Sequence, residues 1–233
     1  MTDDNGGGTC QTKGMPDFVV EFGDDDEPAA DGRLRGPAFE RNHAPIWSVL
    51  APFLRERAGD VLELGSGTGE HVVAYAAQSP GLTWWPSDIR PRHLASIAAW
   101  RAHARLANVQ TPMRIDLTDA AWDAGLPQDR LAAILCINVL HISPWGVTEN
   151  LLAGAGRRLA PEGRLFVYGP FRRDGAHTAP SNAAFDASLR AQDAEWGVRD
   201  TADIAAVAHR SGLRIAELAP MAANNFTLVI ARV

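Results

Sequence analysis

The sequence predicts an α/β domain built on a doubly wound sheet of seven strands whose last strand runs antiparallel. Three observations carry this. From Arg33 onward, strand-length apolar runs alternate with helix-length segments, the rhythm of parallel strands joined by crossover helices. Residues 131–138 are apolar almost throughout, as expected of a strand covered on both faces. The last two predicted strands, residues 213–218 and 226–233, are separated only by residues 219–225. That gap is too short for a crossover helix, so the pair should form an antiparallel hairpin.

A chain of 233 residues fits one such domain with a tail. Residues 1–31 read as an acidic leader and residues 32–233 as the domain. The net charge is −6, yet residues 1–32 hold nine acidic side chains against Lys13 alone. The negative excess therefore belongs to the leader, and the body has no basic surplus of the kind nucleic acid attracts. The leader is glycine-rich and polar and is expected to be disordered, with Phe18, Val19 and Val20 as a short apolar patch. The two cysteines, Cys10 and Cys136, make no disulfide framework, and no metal-ligand spacing occurs. The acidic start is the opposite of a secretory signal, and the longest apolar run, residues 131–140, falls short of a membrane span. The expectation is a cytoplasmic protein with neither membrane nor nucleic-acid partner.

Taken in order, residues 37–57 predict a helical region, with Pro45 suited to a helix start and Ile46, Leu50 and Leu54 on one face. The first strand begins at Val61 and a helix opens at Glu70. Ser79-Pro80-Gly81 breaks that helix, and a second strand runs from Leu82 to Asp88. Residues 91–107 predict a long helix with Leu94, Ile97, Ala98 and Leu106 on its apolar side. The third strand is expected over residues 109–115, the fourth over 131–138, a helix over 144–159 and the fifth strand over 164–168. Residues 169–200 read as a long polar stretch. Residues 201–210 read as a helix ended by Gly212.

Chemistry concentrates at the ends of the strands. After the first comes Glu63-Leu64-Gly65-Ser66-Gly67-Thr68-Gly69-Glu70. Gly65 lets the chain turn off the strand, Gly67 lets a ligand touch bare backbone, and Gly69 lets the new helix pack against the sheet. The spacing is not the Gly-x-Gly-x-x-Gly of a dinucleotide pyrophosphate site, and Glu63 suits a ligand with a cationic amine. A plain strand–helix turn is the competing reading. Asp88, ending the second strand, can accept both hydroxyls of a ribose, or can simply face the N-terminus of the next helix. Asp116 can accept from an adenine amino group while the N–H of Leu117 meets a ring nitrogen. Asn138 and His141 follow the fourth strand, where the reacting end of a nucleoside cofactor would lie. His141 reads either as a general base titrating near neutrality or as a hydrogen-bonded structural histidine.

Glu63 with the three alternating glycines resembles motif I of the class I S-adenosylmethionine-dependent methyltransferases, which have a Rossmann-like sheet. The resemblance narrows further. Glu40-Arg41-Asn42 before Pro45-Ile46, Trp85-Pro86-Ser87-Asp88, Cys136-Ile137-Asn138 with His141, Tyr168-Gly169-Pro170, Ser181-Asn182 with Phe185-Asp186, Glu195-Trp196-Gly197 with Arg199-Asp200, and Asn224-Asn225 are similar to one family. It is the methyltransferase-like family long catalogued as a domain of unknown function. The resemblance covers the chain from about Asp31 onward. It implies a class I fold and S-adenosylmethionine as cofactor, but no substrate.

On this reading Arg41, Asn42, Glu63, Gly65, Ser66, Gly67, Gly69, Asp88, Asp116, Leu117 and Asn138 serve the cofactor. His141 and Tyr168 are the candidate catalytic pair, and Asn182, Asp186, Arg190 and Arg199 the candidate acceptor residues. Arg190 would hold an acidic group on the acceptor, oriented by Asp186; alternatively the two form an i,i+4 helix pair and nothing more. Arg41 and Asn42 lie in a segment able to fold over the cofactor. The function expected is transfer of a methyl group to a small polar acceptor. The alternative is a non-catalytic cofactor-binding or scaffold protein on the same fold. A nicotinamide-dependent oxidoreductase is disfavoured by the glycine spacing and the antiparallel ending.

Overall fold

The computed structural model describes residues 27–233. Most of the acidic leader, including Cys10 and the Phe18 patch, lies outside the described residues. The body is a single sheet with helices on both faces. Its strands are β1 (Gly59–Leu64), β2 (Leu82–Asp88), β3 (Met113–Arg114), β4 (Leu131–Ile137) and β5 (Leu159–Arg173), the short β6 (Ala176–His177) and β7 (Arg199–Asp200), then β8 (Leu213–Pro220) and β9 (Asn225–Arg232). The helices are α1 (Phe39–Leu54), α2 (Glu70–Ala76), α3 (Pro91–Ala104), α4 (Trp145–Arg158), α5 (Pro180–Gln192) and α6 (Thr201–Arg210). The main path runs β3-β2-β1-β4-β5-β9-β8, with β6 and β7 attached to the extension of β5. β1 pairs in parallel with β2 on one side and β4 on the other. Strand order reverses between β1 and β4, which opens a crevice at their carboxyl ends. As expected, β9 lies antiparallel to both β5 and β8.

Alternation along the strands divides the core in two. Leu62, Leu64, Ile134, Cys136, Leu165, Val167, Leu228 and Ile230 face α4 and α6. Val61, Ala133, Leu135, Phe166, Tyr168 and Val229 face the other layer, where α1 contributes Ile46, Trp47, Leu50 and Leu54 and α2 contributes Val72, Tyr75 and Ala76. Both layers are lined by buried apolar side chains, and each full burial of a large aliphatic side chain stabilises by roughly 1.5–3 kcal/mol.

Several expectations need correcting. Pro45 lies inside α1, not at its start, and Pro52 lies inside too. Each proline removes a helical hydrogen bond, and the buried Ile46–Leu50–Leu54 stripe carries the helix through. On α3 Ala98 is exposed, and the inward face is His93, Ser96 and Ile97. The third strand shrinks to Met113–Arg114 plus an isolated bridge from Val109 to Trp84. Pro112 sits between them and has no N–H for a ladder. β5 is far longer than residues 164–168, and the long polar stretch contains α5, whose buried residues are Asn182, Asp186 and Leu189. Two of those three are polar, so the helix has an inward stripe that hydropathy does not register.

Candidate functional site

The chain leaves β1 at Leu64 and enters α2 through the glycine turn, with Gly65, Gly67 and Gly69 all at positive φ. A Cβ on Gly65 would stand 2.6 Å from Cγ2 of Val139, in the turn after β4, and one on Gly69 would stand 2.9 Å from the Cα of Ile97. The third glycine therefore makes room for α3, not for the sheet. Gly67 has nothing within 4 Å; it faces a cavity of about 810 Å³ at the carboxyl edge of β1, β2 and β4. That volume is within the usual ~300–1,000 Å³ of ligand sites.

One end of the cavity is acidic. Glu63 is 1% exposed, and its Oε2 has no hydrogen-bond partner among the described residues. Burial pushes its carboxyl up to about 8; the charge of Asp88 adds to the rise and a hydrogen bond with Ser66 opposes it. Asp88 accepts the Gly67 N–H on Oδ2 and the Arg90 N–H on Oδ1, both at 2.9 Å. His93 Nδ1 lies 3.2 Å from Oδ1. Asp88 thus ties the glycine turn to the end of β2. Asp116 accepts from the Thr118 hydroxyl at 2.7 Å and its N–H at 2.9 Å, bonds that hold its carboxyl below the usual range. Asp116 and Leu117 both line the cavity.

The other end is built from the turn after β4, the start of α5 and the start of α1. Asn138 adopts φ +57, a conformation asparagine tolerates better than most residues, and its N–H donates to the Tyr168 carbonyl at 2.9 Å. His141 follows in a 3₁₀ turn, Leu140–Ile142. Its ring is 7% exposed and meets Phe185 edge-on with centroids 5.5 Å apart. Burial, helped by the positive charge of Arg199, pushes the imidazole down to about 4. The expected near-neutral titration is therefore corrected: His141 is neutral at pH 7 but weakly basic.

Arg199 stands behind this turn rather than in the cavity. Its guanidinium donates to the carbonyls of Leu140 at 3.1 Å, Glu195 at 2.8 Å and Ser143. Asp186 accepts from the Val198 N–H at 2.6 Å and Arg190 Nε at 3.2 Å, with His177 Nε2 at 3.3 Å. Asp186, Arg190 and Arg199 are all absent from the cavity wall, so they brace α5 and the His141 turn from outside. Tyr168 is likewise outside the wall; its hydroxyl accepts from Asn225 Nδ2 at 3.1 Å, and Asn225 does line the cavity. Asn182 lines it as well, held by Thr178 Oγ1 at 3.2 Å and the Asn224 carbonyl at 3.0 Å. Arg41 lines the cavity, whereas Asn42 is buried beside it, accepting from His71 Nε2 at 2.9 Å.

Sequence reasoning missed the clasp that holds the α1 segment in place. Glu70, buried at the start of α2, accepts the Gly36 N–H at 2.5 Å and the Thr68 hydroxyl at 3.2 Å. Gly36, Pro37, Ala38 and Phe39 thereby form part of the cavity wall. An acid opening a helix reads as a dipole partner, and nothing local marks it as a long-range tie.

The strand order with its antiparallel β9, and the glycine turn at the switch point, define a class I methyltransferase fold. Solved structures agree at the level of fold. An O-methyltransferase family protein from Burkholderia thailandensis superposes with a TM-score of 0.68 at 21% identity over 84% of this chain and 57% of its own. Mitomycin 7-O-methyltransferase MmcR gives 0.67 at 21% over 82% and 54%. CalO1, a methyltransferase in calicheamicin biosynthesis solved in its S-adenosylhomocysteine-bound form, gives 0.63 at 16% over 82% and 54%. The chain spans little more than half the length of these proteins. Residues 33–232 match the family described as a protein of unknown function (DUF938), and the chain belongs to that family.

Proposed function

We propose that the protein is an S-adenosylmethionine-dependent methyltransferase acting on a small polar acceptor. The observation that carries the reading is the buried Glu63 carboxyl facing a nucleoside-sized cavity with one oxygen unpartnered. A buried unpaired carboxyl is costly, and a cationic amine beside it would restore both its charge and its hydrogen bond. The amino-acid end of S-adenosylmethionine carries such an amine. On this reading Asp88 would use its remaining lone pairs for ribose hydroxyls, and Asp116 with the Leu117 N–H, which line the same cavity, would read an adenine edge. When bound, the cofactor supplies an activated methyl on a sulfonium centre, which the acceptor takes by in-line displacement. The protein's share is then positioning, exclusion of water and disposal of a proton where the acceptor carries one. Neutral His141 is the cavity-lining group for that last task.

Calorimetric titration tests the cofactor assignment. S-adenosylhomocysteine should bind, NAD far more weakly, and Asp88→Ala should cost about 1–3 kcal/mol of that binding through lost charge-assisted hydrogen bonds. Equal affinity for NAD would sink it. A second reading, a cofactor-binding protein without turnover, is favoured by the weak basicity of His141. Multiple turnovers of methyl transfer to any acceptor would exclude it.

A further inference from the structure

The carboxylates of the cavity wall are distributed unevenly. Glu63, Asp88 and Asp116 stand at the ends of β1 and β2 and beyond β3, and among the described residues the wall formed by the α1 start, the turn after β4, and α5 has none. What that end has instead is Arg41. Arg41 is an exposed residue of this wall and no described residue pairs with its guanidinium, whereas Arg190 and Arg199 are engaged elsewhere. The positive charge of Arg41 acts on the Tyr168 hydroxyl, which accepts from Asn225 of the same wall. Around it the wall offers polar Ser181, Asn182 and Asn225 beside apolar Phe185 and Pro170. An arginine with its fork of donors free, in a wall without competing carboxylates, is matched to a carboxylate ligand.

We propose that the methyl acceptor carries a carboxylate and that Arg41, not Arg190, receives it. This rests on the methyltransferase reading above and names the substrate class for the same cavity. The same chemistry could come from the cofactor's own carboxylate, so the experiment separates the two sources. Wild-type protein is first titrated with S-adenosylhomocysteine and with 5′-methylthioadenosine, which lacks the amino-acid part. The complex saturated with S-adenosylhomocysteine is then titrated with benzoate and succinate, against benzamide and succinamide as uncharged controls.

The expected result is that at least one acid binds and its amide does not. Arg41→Met should weaken that acid about tenfold or more, Arg41→Lys should recover part of the loss, and neither should change the affinity for S-adenosylhomocysteine. Failure of both acids to bind overturns the proposal, as does acid binding indifferent to Arg41→Met. A loss of S-adenosylhomocysteine affinity in Arg41→Met, with 5′-methylthioadenosine unaffected, assigns Arg41 to the cofactor and also overturns it. Failure of wild type to bind S-adenosylhomocysteine removes the methyltransferase reading and this inference together; normal cofactor binding without acid binding removes the inference alone.

Discussion

His141 shows how far a residue's environment departs from its type. An isolated imidazole is half-charged near 6.5, whereas this one is pushed to about 4 by burial and by the charge of Arg199. As a base it is always in the correct protonation state at pH 7, at the cost of driving force. A carboxylate bound nearby would stabilise the imidazolium and restore some of that force. In a methyl-transfer assay His141→Ala should therefore lower turnover ~10²-fold, with cofactor affinity nearly intact. The wild-type rate should keep its neutral-His plateau well below pH 6.5, because the base form persists down to about 4. An unchanged rate in His141→Ala would reduce the ring to a packing partner of Phe185.

At the scale of elements, α5 shapes one end of the cavity. It presents Asn182 to the cavity and Asp186 to the chain behind it, where the Val198 N–H, Arg190 and His177 converge. The helix is thus positioned by a buried polar knot more than by an apolar stripe. Asp186→Ala leaves a buried N–H without its acceptor, a loss of about 1–3 kcal/mol. The expected outcome is a lower melting temperature with S-adenosylhomocysteine affinity retained, since Asp186 is not in the cavity wall. Loss of cofactor binding at unchanged stability would show that α5 reaches further into the site than its contacts indicate. The Glu70–Gly36 clasp plays a similar part for the α1 segment.

For the whole molecule, three groups, two buried and one half-buried in the cavity wall, set opposing pH dependences. His71 and His141 are both pushed from 6.5 down to about 4 by burial, aided by the charges of His43 and Arg199 respectively. The unfolded chain binds protons there that the native state refuses, so stability falls as pH drops from 6.5 toward 4. Glu63 is raised from 4.5 to about 8, so the native state keeps a proton that the unfolded chain sheds. Its contribution is full below 4.5 and is lost as pH rises toward 8. Each group contributes a slope of up to about 1.4 kcal/mol per pH unit. Two histidines outweigh one glutamate below 6.5, and Glu63 dominates from there to about 8. Thermal melts without cofactor should peak near pH 6.5, and Glu63→Gln should flatten the alkaline decline. A melting temperature still climbing between about pH 7 and 8 in the wild type would contradict this balance. Among the described residues no helix is long and apolar enough to cross a membrane.

The alternation of apolar runs with helices, the short link before Phe226, and the glycines after Glu63 were enough by themselves to determine the class of sheet, its antiparallel ending and the glycine turn that opens onto the cavity. These are local features: strand, turn and following helix lie within one stretch of chain, so their spacing is their geometry. The other end of the cavity was decided only by tertiary structure. Arg41, Asn182, His141 and Asn225 come from four distant segments, and no spacing tells that Arg190 and Arg199 turn away to Asp186 and to carbonyls while Arg41 lines the cavity. Which cation is consumed by the fold and which is left for a ligand depends on long-range hydrogen-bond partners, and those exist only once the chain has packed.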